Sequence, residues 1–255
     1  MKFGKTPSSW IDLQNQVCLL LSEAGFTANS PKTIQTVRGK IEVDVYAEHK
    51  QDLISKIICE CKYWETNIPQ EKVHAFRTVV HDSGAMLGLI ITKTGFQAGA
   101  YEAAKYTNVQ LLTWNQFCEL IFDKWIATRL EKMRMLSAAL FYFSDDYDFP
   151  YENVKEELQD EFYRLRESVR KYRSVGLHVT KGDLVNDNFH MEHYKMQEFE
   201  YMEDYLRFLL DPLEKAYSAI VQICRESNIR VSKRKFKHYC FIDQRWDDET
   251  DDLDF

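Results

Sequence analysis

The sequence predicts a mixed α/β domain over roughly its first 125 residues, followed by an α-helical region, and three observations carry that expectation. Segments with helical and strand periodicity alternate from Trp10 to Thr113. Two strand-like segments in that run place acids and a lysine among apolar residues. Beyond Trp114 the character changes to long helical patterns with few glycines.

The first helix is read over Trp10 to Ala24, with Trp10, Leu13, Val17, Leu20 and Leu21 at helical spacing, Ser8-Ser9 ahead of it and Gly25 as its stop. A hairpin follows. Lys40 to Glu48 and the run I-S-K-I-I-C-E-C-K-Y-W, which contains Glu60, Cys61 and Lys62, both read as strands. Lys72 to His81 is helical in pattern, Leu87 to Thr92 a short buried strand, Phe96 to Tyr106 an Ala-rich helix and Val109 to Thr113 another strand. The order is helix, two or three strands, helix, strand, helix, strand.

Within this frame the chemistry gathers at Asp44 and, after fifteen intervening residues, Glu60-Cys61-Lys62. Side chains alternate faces along a strand, so Glu60 and Lys62 share one face while Cys59, Cys61 and Ile57 take the other. A phosphodiester is anionic and resists attack by water. A hard cation neutralises the phosphoryl oxygens and lowers the pKa of the attacking water. Mg²⁺ takes oxygen ligands, usually one or two protein carboxylates with several waters. Asp44 and Glu60 supply such carboxylates, the Cys61 carbonyl is a candidate third contact, and the Lys62 ammonium is placed to orient the nucleophile or to stabilise charge on phosphorus.

Residues from about Trp10 to Phe117 resemble the catalytic domain of Mrr-type restriction endonucleases, within the PD-(D/E)xK superfamily. The matching segments are L-Q-N-Q-V in the first helix, G-K-I-E-V-D-V-Y-A around Asp44, I-I-C-E-C-K-Y-W around Glu60 and Lys62, V-H-A-F-R-T-V-V, G-L-I-I-T-K-T-G-F-Q-A-G-A and L-L-T-W. The resemblance implies a restriction-endonuclease-like αβββαβ core, with a mixed sheet flanked by helices, and Mg²⁺-dependent cleavage of DNA in which Mn²⁺ can substitute. It matches Asp44 and Glu60 to the metal carboxylates and Lys62 to the lysine of the motif. The family often carries Glu in the first helix where this chain has Gln14, an amide that orients a metal-bound water but adds no charge. Gln97 belongs to the G-F-Q-A-G-A match and begins a helix beside the sheet, where backbone N–H groups are offered to phosphate. Gln14 and Gln97 are therefore expected to support the site.

Composition limits the partners. Residues 1–120 carry 12 basic and 12 acidic side chains, so the formal charge of −7 lies in the remainder, with 21 against 28. No broad basic face is present, and DNA would meet local patches. Candidates are Lys72, Lys93 and the run S-K-R-K-F-K-H with Lys233, Arg234 and Lys235. Tyr63 and Trp64 fit either base stacking or rim packing. Six cysteines without CxxC pairs argue against a zinc site or a disulfide framework. The N-terminus lacks an apolar signal core and no run reaches the eighteen or so apolar residues that span a bilayer, so no membrane association and a cytoplasmic protein are expected.

Residues 126–242 are expected to form a helical dimerisation or partner-binding region, and 243–255 an acidic, disordered tail. Asn115 to Phe143 reads as one or two amphipathic helices, and Tyr151 to Arg173 as one helix whose early acids and late Arg164, Arg166, Arg170, Lys171 and Arg173 suit the helix dipole. A further helix spans roughly Glu192 to Leu210, stops near Asp211-Pro212 and is followed by Leu213 to Ser227. His190 and His193 read as surface residues. The expected function is a metal-dependent endonuclease acting on DNA, in defence against phage or foreign DNA. The alternatives are a structure-selective repair or junction nuclease, and a non-catalytic binding module on a decayed nuclease fold, with Gln14 as the sign of decay.

Overall fold

The computed structural model of the chain describes residues 1–49, 56–186 and 198–231. These form two compact units, Phe3–Thr128 and, separately, the described residues from Arg129 onward with Met1–Lys2.

The first unit opens with α1 (Trp10–Glu23). Ser9 caps it by accepting a hydrogen bond from the Asp12 N–H, and Leu13, Val17, Leu20 and Leu21 line its buried face. Four strands follow: β1 (Thr27–Asn29), β2 (Lys32–Thr36), β3 (Gly39–Val43) and β4 (Val45–Glu48). Next come β5 (Lys56–Lys62), α2 (Gln70–Ser83), β6 (Leu87–Thr92), α3 (Ala98–Ala104) and β7 (Val109–Thr113). The main sheet runs β1-β4-β5-β6-β7, and β2-β3 is a separate two-stranded ribbon. β1 and β5 are antiparallel to β4, whereas β5, β6 and β7 are parallel to one another. This is the mixed sheet flanked by helices that the sequence led us to expect, with more and shorter strands before α2. The three-residue β1 and the polar β2 are too short to carry a period of their own.

Alternation along β5 divides the core. Ile58 packs with Val73, Phe76 and Val80 of α2, with Ala100 and Ala103 of α3 and with Ile34 and Val43 of the ribbon. Ile57, Cys59 and Cys61 face the other way, toward α1. α2 ends at Gly84, whose φ of 64° is the left-handed conformation that closes a helix without a Cβ clash. α3 is shorter than the apolar pattern suggests, because Phe96 is drawn into a parallel bridge with Ile68 and Lys105 turns to extended geometry.

The second unit is helical: the remainder of α4 (Trp114–Tyr142), a single 3₁₀ turn (Tyr151–Asn153), α5 (Glu156–Ser168), α6 (Arg170–His178), α7 (Lys181–Asn186) and α8 (Met202–Glu226). Asn115 to Phe143 is thus one helix, not two. Two expectations are corrected. The helix read over Tyr151 to Arg173 breaks at Val169, where φ −103°, ψ 2° leaves helical geometry and the side chain is buried. Arg170, Lys171 and Arg173 therefore begin a new helix, where the dipole disfavours cations. Arg173 is held by packing instead. Its guanidinium donates to the Leu140 carbonyl at 3.4 Å and to Ser144 Oγ and lies over the Phe141 ring, and burial holds its pKa below the usual value. Pro212 does not end a helix either: α8 runs through it, although proline removes one main-chain bond. The buried face of Leu206, Leu209, Leu210, Leu213, Ala216 and Ile220 carries the helix across that gap. Glu192–Gln197, His190, His193, the 232–238 run and the acidic tail lie outside the described residues.

No helix among the described residues is long and apolar enough to cross a membrane.

The approach of α2 to the sheet depends on Gly88. A Cβ there would clash with Val80 Cγ2 and lie 2.9 Å from Phe76 Cε1 and 3.2 Å from Val109 Cγ2. Gly88→Ala is expected to destabilise the protein by about 1–3 kcal/mol through overpacking, read as a lower urea midpoint. An unchanged midpoint would show that α2 does not lie this close to β6.

Candidate active site

Parallel strands β5, β6 and β7 end at one edge of the sheet, and antiparallel β4 begins there. Open α/β sheets place their ligands beyond such carboxyl ends. The chain reaches this edge by crossing between sheets: β3 belongs to the ribbon and β4 to the main sheet, with Asp44 at the bend between them. Asp44 was expected inside a strand. The bend frees its side chain from the β4 ladder.

β4 pairs with β5 in the register Val45↔Cys59, and one further step sets Asp44 opposite Glu60. The carboxylate then closes the pairing itself, its Oδ2 accepting a hydrogen bond of 2.7 Å from the Cys61 N–H. A strand residue directs its N–H and C=O to the same edge, so the Cys61 carbonyl also points past the start of β4. Glu60 and Lys62 lie side by side on one face and form an ion pair through Glu60 Oε1, with side-chain exposures of 29% and 20%. Asp44 Oδ1 and Glu60 Oε2 have no partner among the described residues. Two carboxylates with one uncommitted oxygen each suit Mg²⁺, a cation that keeps most of its water and needs few protein ligands. The described residues contain no cluster of three or more acidic, Cys or His groups able to hold a metal, which a thiolate or imidazole site would require.

Behind this edge the surroundings are apolar. Cys59 and Cys61 are buried, and burial, reinforced by the Asp44 carboxylate, pushes both thiols above their usual range. Both stay protonated at neutral pH. Cys18, Cys59, Cys61, Cys118 and Cys224 are free thiols.

The other sequence candidates fall outside this trio. Gln14 lies on the buried face of α1 with 9% exposure, and among the described residues its amide has no hydrogen-bond partner. Gln97 is the exposed residue before α3; its N–H donates to the Ile68 carbonyl at 3.0 Å and its side chain caps nothing. Lys72 is exposed at the start of α2, with its Nζ 5.8 Å from the Trp64 ring centroid. Lys93, beyond β6, pairs with Glu65 at 2.5 Å and lies 4.8 Å from the Tyr63 ring. Lys233, Arg234 and Lys235 lie outside the described residues.

The sequence did not reveal the Cys61 amide as the partner of Asp44, since it follows from the β4–β5 register. Nor did it reveal that Tyr63 and Trp64 sit among Lys62, Lys72 and Lys93. Only the run Lys62-Tyr63-Trp64 after Glu60 hinted at it.

Residues 7–121 match the restriction endonuclease family Mrr_cat. No curated protein matches the chain. Among solved structures, a crystal structure described as a protein of unknown function, AF1548, aligns over 86% of this chain and 99% of its own with 17% identity and a TM-score of 0.39, a likeness too loose to carry an argument. The match spans every element that frames Asp44, Glu60 and Lys62, so over residues 7–121 this chain is similar to the restriction endonuclease catalytic domain of the Mrr type.

Proposed function

We propose that this chain is a metal-dependent endonuclease that hydrolyses DNA phosphodiester bonds, with Asp44, Glu60 and Lys62 as its catalytic residues. The observation that supports the reading most is the register-defined pairing of Asp44 with the Cys61 N–H, which brings one carboxylate abreast of Glu60 and its Lys62 partner. The family match over residues 7–121 supports a nuclease of the restriction endonuclease type with DNA as substrate.

In this reading Asp44, Glu60 and the Cys61 carbonyl would hold Mg²⁺, or Mn²⁺ in its place. The cation, when bound, supplies Lewis-acid neutralisation of the phosphoryl oxygens and a more acidic attacking water. The Cys61 N–H fixes Asp44, so the free oxygen of that carboxylate is pre-aimed. Glu60 holds Lys62 at the mouth of the site, where its ammonium meets the charge that develops on phosphorus. The buried Gln14 amide, free of internal partners, is available to orient water at the rear of the site. Gln97 supports the site at the start of α3, and Lys72 and Lys93 contact the substrate's phosphates. The helical region beyond residue 125 serves as an assembly element that brings two nuclease domains together, since one such site cuts one strand at a time. The setting we propose for this activity is defence against phage or foreign DNA in the cytoplasm, and the family match supports the defence part of that reading.

Plasmid cleavage tests the central claim. The full chain is expected to cut with Mg²⁺ or Mn²⁺ and not in EDTA. Asp44→Asn, which keeps an acceptor for the Cys61 N–H, and Glu60→Gln should both fall to the metal-free background while keeping a native circular-dichroism spectrum. Wild-type-like cutting by either folded variant removes the proposed site.

Calorimetry separates the roles. Lys62→Ala should retain metal binding yet lose about 10²–10³-fold in turnover, the scale of one charge-stabilising group. Gln14→Glu should tighten Mg²⁺ binding by adding a carboxylate. Loss of metal by Lys62→Ala would contradict that division of labour, and unchanged affinity in Gln14→Glu would place Gln14 away from the metal.

Light scattering of the full chain tests assembly: a dimer is expected, and a monomer that makes double-strand breaks unaided would defeat the idea.

A further inference from the structure

Trp64 stands where the chain leaves β5, two residues beyond Lys62, and 37% of it is exposed. By contrast, Trp114 and Trp125 are 5% and 0% exposed, and the Trp125 indole N–H donates to Glu23 at 2.8 Å. The Trp64 indole N–H has no acceptor among the described residues. Two ammonium groups lie over its ring, Lys62 Nζ at 6.0 Å from the centroid and Lys72 Nζ at 5.8 Å. Lys62 is committed to Glu60, whereas Lys72 has no carboxylate partner among the described residues. Next to it, the Tyr63 ring is held by a hydrogen bond of 3.1 Å from its hydroxyl to the Pro7 carbonyl, with Lys93 Nζ over its face.

An aromatic ring kept in water, flanked by cations and adjoining the candidate lysine, has the two parts of a nucleotide subsite. The ring takes a base by stacking, and the ammonium groups take the flanking phosphates. The geometry restricts which base. Inside a continuous duplex both faces of every base are covered by its neighbours, so the ring can stack only on a base that is unpaired or at a strand end. Within about 6 Å of Lys62, such a base belongs to a nucleotide next to the phosphate at the catalytic site.

We propose that Trp64, with Lys72, forms a stacking subsite for an unpaired nucleotide beside the scissile phosphate, so that the preferred substrate is DNA with unpaired nucleotides at the cut: single strands, flaps or branch points. The proposal rests on the nuclease reading above for the word scissile and names the substrate class of that same site.

The test measures binding and cutting separately on the full-length protein. Fluorescence anisotropy in EDTA, where cutting is off, compares a fluorescein-labelled oligothymidylate with a blunt duplex of equal length. Wild type should bind the single strand more tightly. Trp64→Ala should weaken single-strand binding by about 5- to 150-fold, the factor for one lost base–aromatic stack, and change duplex binding less than about twofold. Trp64→Phe, which keeps a ring, should restore most of the affinity and excludes misfolding as the cause. Lys72→Ala should lower the salt dependence of single-strand binding by about 0.7 in the log–log slope, one phosphate's share. Single-strand affinity within twofold of wild type in Trp64→Ala, or equal losses on both DNAs, overturns the proposal. Parallel Mg²⁺ assays keep the two readings apart. If wild type cuts neither DNA while the Trp64 binding effect persists, the nuclease reading fails and the subsite stands. If wild type cuts blunt duplex and single strand alike, and Trp64→Ala does the same, the subsite fails and the nuclease reading stands.

Discussion

The register between β4 and β5 is the constraint on which the candidate site depends. Side chains repeat every two residues in a strand, so a slip of one residue would exchange the faces of the whole set. It would place Cys59 and Cys61 toward α2 and turn Glu60 and Lys62 toward the packed face of α1. Two features hold the register. Val45 and Ala47 are fully buried opposite Cys59 and Ile57, so a slip would expose apolar surface. At the open end, the Asp44 carboxylate accepts the one amide that β4 no longer reaches. The same bond that ends the ladder positions the acid.

Much of this was legible in the sequence because it follows from alternation and spacing. Glu60 and Lys62 on one face, with Cys59 and Cys61 on the other, needed only the period of a strand, and α1, α2, β6 and β7 needed only their apolar patterns, with Gly25 as the stop of α1. The bend at Asp44 was not legible, since V-D-V-Y-A reads as an unbroken strand until it is known that β3 and β4 belong to different sheets. The setting of Trp64 was hidden for a similar reason. Lys62 is two residues away, but Lys72 reaches the ring only because α2 starts where the segment after β5 returns to the sheet edge at Ile68.

The helical unit shows how tertiary packing overrides local signals. Proline and a clustered charge run are usually dependable punctuation, yet Pro212 sits inside α8 and Arg170 to Arg173 open α6. Both are outweighed by burial. The face of α8 around Leu209 and Leu213 keeps the helix continuous, and Gly176 lets α6 approach α4 so closely that a Cβ there would lie 2.9 Å from Met133 Cγ. The buried Arg173 guanidinium thereby becomes a tie between α6 and the end of α4.

The ion pair between Glu60 and Lys62 carries a thermodynamic consequence. In the proposed reading one carboxylate serves two cations, a divalent ion and its own neighbouring ammonium. A metal that draws on Glu60 loosens its grip on Lys62, and the released ammonium becomes available to a phosphate. Reciprocity then requires that a phosphate engaging Lys62 frees Glu60 for the metal by the same factor. Resting, the pair neutralises itself; with both ligands present, each partner of the pair finds a better one, and the site becomes cooperative between cofactor and substrate without any movement of the sheet.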